Sequence, residues 1–192
     1  MNTFHFDPEN HEYFIDGEKV PSITQMLDYA GWINDEFYTK ESSERGTLVH
    51  KLSADFDLGA ISDPRTVENI WKGYFLAHVD AMKKMQPEVL AVEQALGHPT
   101  LRYGGRPDRV WKLWGAITVT DIKTGVVADW HGIQTALQAL LIAPHYHLPP
   151  ESIQRYGLYL RDNGKWKFIE HKNRHDFGEA HEVIRTCAKV AA

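Results

Sequence analysis

Residues Tyr103 to Gly125 read YGGRPDRVWKLWGAITVTDIKTG, two strand-like runs end to end. Each run carries one acid, Asp108 in the first and Asp121 in the second, and Lys123 follows Asp121 by two places. Side chains alternate faces along a strand. In Ile117 to Lys123, therefore, Val119, Asp121 and Lys123 share one face, while Thr118, Thr120 and Ile122 share the other. Trp114-Gly115 is a turn candidate between a strand from Tyr103 to Leu113 and the second run. An antiparallel hairpin of this kind brings Asp108 and Asp121 to one end. Two converging carboxylates repel unless a proton or a divalent cation lies between them. Hard cations such as magnesium take oxygen ligands and also bind phosphate oxygens.

The pair Pro107-Asp108, followed by Asp121-Ile122-Lys123, resembles the PD-(D/E)xK signature of the restriction-endonuclease-like nuclease superfamily. The wider Gly105-Arg106-Pro107-Asp108 … Asp121-Ile122-Lys123-Thr124-Gly125 is similar to its RecB-like and phage exonuclease branch. A surface hairpin with solvated charges is the plainer reading of the same stretch, so the flanking segments decide.

A chain of 192 residues suits a single domain over 1–192 with one substantial core. No apolar run approaches the roughly 20 residues of a membrane span, and Asn2 to Asn10 lacks the basic start and apolar centre of a signal peptide. Cys187 stands alone, so one chain cannot supply a four-cysteine iron–sulfur cluster, a zinc site or a disulfide framework. A reducing cytoplasm is the expected location. The net charge of −5 runs against the basic balance common in nucleic-acid-binding domains, although a local groove can be basic in an acidic protein. Arg102, Arg106, Arg109 and Lys112 crowd the first run, and Lys165, Lys167, Lys172 and Arg174 a later one. They are candidate phosphate contacts, or parts of a solvated face.

In chain order, Phe4-His5-Phe6, a turn at Asp7 to Asn10, His11 to Ile15 and a turn at Asp16-Gly17 predict a small β-meander. Pro21-Ser22 opens a helix to about Ala30, with Ser22 as N-cap. A helix over roughly Phe37 to Leu58 has Leu48, Val49, Leu52 and Phe56 as its apolar face. Gly46 and His50 lie one turn apart on it. A third helix spans Pro64 to about Met85, with Val67, Ile70, Trp71, Tyr74, Phe75 and Val79 as core. Val89 to Leu96 reads as a strand on which Ala91, Glu93 and Ala95 share a face, leaving Glu93 as a second acid or an exposed strand glutamate. Asp129 is an N-cap candidate for a helix ending before Pro144, with Trp130, Ile133, Leu137, Leu140 and Leu141 buried and Gln134 and Gln138 in a polar row. Gln154 to Leu160 and Lys165 to Glu170 form a second hairpin across Asp162-Asn163-Gly164, and Asp176 caps a last helix to about Ala191.

Arg45-Gly46-Thr47-Leu48-Val49-His50 resembles the Gly-x-x-x-His segment of RecB-like nucleases, and Gln134 to Gln138 stands where that pattern has Gln-x-x-x-Tyr. The resemblance covers Arg45 to Gln138. It implies an α/β, restriction-endonuclease-like mixed sheet flanked by helices, ordered helix, three strands, helix, strand. His50, Asp108, Asp121 and the carbonyl of Ile122 would hold one or two magnesium or manganese ions. Lys123 would stabilise charge on phosphorus, staying charged beside two carboxylates, with Gln134 and Glu93 near the reaction. Arg45, Arg102, Arg106, Arg109 and Gln138 would meet the DNA. A cluster-free member without helicase motifs looks most like a phage recombination exonuclease acting on double-stranded DNA ends. Such an enzyme would work with a single-strand annealing or recombination protein, with a homo-oligomer as a further expectation and no membrane partner. A structure-specific or nicking endonuclease, and a non-catalytic DNA-binding or assembly module, are the alternatives.

Overall fold

In the computed structural model, which describes residues 3–33 and 39–190, β1 (Phe4–Asp7), β2 (Glu12–Ile15) and β3 (Glu18–Val20) form the expected antiparallel meander. Asp7 fastens its first turn by accepting from the backbone N–H groups of Glu9 and Asn10. Ser22 caps α1 (Ile23–Tyr29) through a reciprocal box with Gln25, the arrangement that satisfies two orphan amides at once. Thr39 and Ser42 do the same for α2 (Lys40–Asp57). The expected start of that helix at Phe37 lies outside the described residues.

The third helix departs from its expected length. Pro64–Thr66 is a 3-10 turn capped by Asp63, and α3 begins only at Lys72, running to Met85. Asn69 accepts from the N–H of Trp71, one of the local side-chain bonds that compete with helix. Ile70, read as core, is consequently 85% exposed.

Next come β4 (Glu88–Val92), β5 (Leu96–Gly97), β6 (Gly104–Gly105), β7 (Arg109–Leu113) and β8 (Ala116–Lys123). Two expected long strands are therefore each broken. The Val89–Leu96 run stops at Glu93, whose φ of +49° turns the chain out of the strand. The Tyr103–Leu113 run breaks at Arg106 to Asp108, where Pro107 has no N–H to give the ladder. The turn between β7 and β8 is as expected: Trp114 and Gly115 both have positive φ, 50° and 85°, the pair of left-handed residues that a tight hairpin requires.

The chain then forms α4 (Trp130–Tyr146), β9 (Gln154–Leu160), β10 (Trp166–Glu170) and α5 (His175–Val190). Helix α4 does not stop before Pro144. A proline in the last turn removes a single bond, and the helix closes on His147, whose N–H reaches the Ala143 carbonyl. Asp129 makes no side-chain capping bond. Asp176 lies inside the first turn of α5 and pairs with Arg155 at 3.0 Å instead of capping.

Among the described residues, five strands form the main sheet in the order β10-β9-β8-β7-β4, antiparallel except where β8 meets β9. That parallel pair needs a crossover, which α4 supplies. The two sheet faces follow the alternation read from the sequence. Val110 and Val119 pack with Ile133, Leu137 and Leu140 of α4 in a core closed by α1 and α5. Trp111, Ile122 and Leu158 pack on the other side with Val49 of α2 and Ala77 and Ala81 of α3. Helix α4 is buried nearly all round between sheet and helices, and from His131 to Ala143 only Gln134 is not buried. This mixed sheet between helix layers, with an N-terminal antiparallel hairpin, is the expected architecture.

Candidate active site

The hairpin register pairs Arg109 with Thr120, so the next step of the ladder sets Asp108 against Asp121. The Asp108 carboxylate takes over where backbone pairing ends, its Oδ2 accepting from the Ile122 N–H at 2.6 Å. Across this end lies α2. His50 Nε2 donates to the Ile122 carbonyl at 2.9 Å. A carbonyl can only accept, so Nε2 carries hydrogen and Nδ1 turns to the acids, 3.4 Å from Asp108 Oδ1 and 3.5 Å from Glu93 Oε1.

Glu93 reaches this point because of its left-handed kink, which its own N–H holds by donating to the Asp108 carbonyl at 3.0 Å. One donor atom from each of His50, Glu93 and Asp108 lies within 4.8 Å of the others. Burial works against a charged His50, but Asp108 and then Glu93 outweigh it and raise its pKa to about 10. Burial likewise opposes ionisation of Glu93, and the nearby His50 leads the contacts that hold its pKa below the usual value. Two carboxylates and an imidazole suit a hard divalent cation. The buried Glu93 Oε1, which has no hydrogen-bond partner among the described residues, is a donor atom left for one.

Asp121 stands beside this trio but is engaged elsewhere. Its Oδ2 is 2.5 Å from Lys123 Nζ, and its Oδ1 accepts from Gln138 Nε2 at 2.9 Å. Lys123 Nζ also donates to Gln134 Oε1 at 2.8 Å and stands 4.9 Å from the centre of the Trp130 ring. The expected polar row of α4 is thus turned onto β8. His50, Glu93, Asp108, Asp121, Gln134 and Gln138 all line one recess of about 750 Å³. Arg106 lines it too, its Nε 3.0 Å from Glu93 Oε2.

Three other basic positions fall elsewhere. Arg109 is fully buried and pairs with Asp57, so it presents no surface to a phosphate. Arg102 is engaged by Glu18 and the Ile15 carbonyl and lines a second recess beside α1 and α5. Arg45 lies half-buried on α2 with its guanidinium 5.4 Å from the Tyr74 ring centre.

Sequence reasoning missed Asp57 and His78, both with fully buried side chains. His78 Nε2 meets the two Asp57 oxygens at 2.8 and 2.9 Å. Burial is the main cause of the lowered pKa of His78. The signal available was spacing: Asp57 follows His50 by two helical turns, on the same face.

No family model and no curated protein matches the sequence. Among solved structures, the chain is similar to a proposed exonuclease from Eubacterium rectale, at 10% identity over 89% of this chain and 73% of that one, TM-score 0.47. It is also similar to LHK-Exo in complex with dAMP, at 15% identity over 90% of this chain and 88% of that one, TM-score 0.38.

Proposed function

We propose that this protein is a divalent-cation-dependent deoxyribonuclease of the PD-(D/E)xK type, hydrolysing phosphodiester bonds at double-stranded DNA ends in phage-type recombination or repair. One observation carries the reading: His50, Glu93 and Asp108 converge at the end of a hairpin whose other strand brings Asp121 and Lys123 alongside. One or two magnesium or manganese ions, held by His50 Nδ1, Glu93, Asp108 and Asp121, would polarise the scissile phosphate and acidify a water.

The chain's own groups do the rest. Lys123 donates to an oxygen of the phosphate as charge builds on it, the kind of preorganised contact that acts on the transition state. Gln134 fixes the Lys123 ammonium, and Gln138 fixes the Asp121 carboxylate. Arg106, partly exposed in the recess wall, receives a neighbouring phosphate. The Ile122 carbonyl accepts from His50 and keeps a second lone pair with which it would join the ligand set.

The test uses end-labelled linear and circular DNA with magnesium or with a chelator. Cleavage of linear DNA alone, lost in chelator and in Asp108→Ala or Asp121→Ala, is the expected outcome. Full activity in chelator overturns the proposal, and cleavage of circles replaces exonuclease with endonuclease action.

A further inference from the structure

Beneath the recess, on the α2–α3 side of the sheet, lies a cluster of titratable side chains: Asp57, His78 and Arg109, each with 0% of its side chain exposed. Burying charge is unfavourable unless every partner is in place, so a cluster this deep calls for a reason. Arg109 Nε pairs with Asp57 Oδ2 at 2.5 Å, and His78 closes the far side of the same carboxylate. The other arm of the guanidinium points at the recess. Its Nη1 donates to the Asp108 carbonyl at 2.6 Å and lies 3.9 Å from Glu93 Oε1.

That carbonyl is a pivot. It belongs to one acid of the trio and also accepts the N–H of the other, Glu93, in its left-handed kink. Asp57 meanwhile sits two turns from His50 on α2. One buried guanidinium therefore ties together the helix that carries His50, the strand that carries Asp108 and the kink that carries Glu93. Local sequence does not hold these three in place, since Glu93 and Asp108 lie where their strands break.

We infer that Arg109, locked by Asp57 and His78, is a positioning residue that sets the spacing of His50, Glu93 and Asp108 for a divalent cation. The inference rests on the metal-site reading above. The planar fork of arginine spans two acceptors in fixed directions, which a lysine ammonium cannot do. Partners of this kind behind a metal site typically change metal affinity by about 10- to 100-fold when removed.

Manganese binding, read from the EPR signal of free Mn²⁺, tests this without any cleavage assay. Arg109→Lys should keep a charge beside Asp57 and bind Mn²⁺ about 10- to 100-fold more weakly. Should Arg109→Lys fail to fold, the triple variant Asp57→Leu, His78→Leu and Arg109→Met serves, because apolar replacement of a whole buried pair or triad is often neutral or stabilising. It should unfold in urea no earlier than wild type yet show the same loss of Mn²⁺ affinity. Folded variants that bind Mn²⁺ as tightly as wild type overturn the inference and leave the cluster a purely structural one. A wild-type protein that binds no Mn²⁺ overturns the metal-site reading itself, and the inference with it.

Discussion

Lys123→Ala separates the chemistry of the recess from its architecture. The Lys123 ammonium touches three groups: Asp121 Oδ2 at 2.5 Å, Gln134 Oε1 at 2.8 Å and the Trp130 ring at 4.9 Å. At 2.5 Å and an effective dielectric constant of about 20, the gross attraction to Asp121 is roughly 7 kcal/mol. Desolvation offsets much of that, and breaking a buried pair by removing one partner destabilises by about 3–5 kcal/mol. The lower end applies here, because the Lys123 side chain keeps 18% exposure and Asp121 retains its bond from Gln138. The variant should therefore unfold in urea about 3 kcal/mol earlier than wild type. Its effect on the reaction is separate: removing one donor to developing charge lowers the rate about 100- to 1000-fold. Single-turnover cleavage at saturating manganese, well below the urea midpoint, measures this on folded protein. A folded variant cutting within a few-fold of wild type would refute the role given to Lys123, whatever its stability.

Two further predictions concern the fold. A Cβ on Gly73 would stand 1.6 Å from the Asp162 backbone oxygen, so Gly73→Ala should push α3 off the β9–β10 turn. We expect it to destabilise by more than the roughly 1–3 kcal/mol of ordinary overpacking; a urea midpoint at or above wild type would contradict that. His98 is lowered by burial, and further by His145 and His181, to a pKa of about 4, against about 6.5 unfolded. The unfolded chain thus takes the proton first, and stability present above pH 6.5 falls as pH drops towards 4. By pH 5 the loss is about 2 kcal/mol, and His98→Gln should lack it when urea midpoints are compared at pH 7 and 5.

Where the sequence was legible, adjacent residues settled the outcome. The β7–β8 hairpin follows from alternation and a turn whose glycine tolerates positive φ, and the Ser22 cap follows from a box completed three residues later. Legibility failed where a distant partner decided. Arg109 looks like a surface cation until Asp57, 52 residues earlier, meets it under the sheet. Glu93 looks like a strand residue until the Asp108 carbonyl captures its N–H. Apolar spacing put Ile70 in the core because periodicity does not weigh the Asp63 and Asn69 side chains that end the helix before it forms. In α2 the inward face is Val49 and Ser53, with His50 and Asp57 beside them, so a search for apolar stripes overlooks the face that matters.

The acidity of the chain, which ran against a nucleic-acid partner, has a local counterpart in and beside the recess, where the cations among the described residues are already engaged. Lys51 pairs with Asp55 at 2.6 Å, Arg106 with Glu93 at 3.0 Å, Lys123 with Asp121 at 2.5 Å, and His50 faces Asp108 at 3.4 Å. Among the described residues, these four cationic groups against four carboxylates leave no surplus to attract a phosphate, and the whole protein carries −5. A divalent ion changes that balance even if His50 gives up its proton to admit it. One surplus positive charge about 4 Å from a phosphate is worth roughly 4 kcal/mol before screening at an effective dielectric constant of about 20. Even a third of that is about tenfold in affinity. DNA binding, and not cleavage alone, should therefore depend on the cation. Fluorescence anisotropy of a short labelled duplex, with calcium and with chelator at matched ionic strength, reads this directly. We expect at least about tenfold tighter binding with calcium. Equal affinity in both would mean that the DNA is held by a basic surface elsewhere, and that the recess between α2 and the β7–β8 hairpin is not where the phosphate goes.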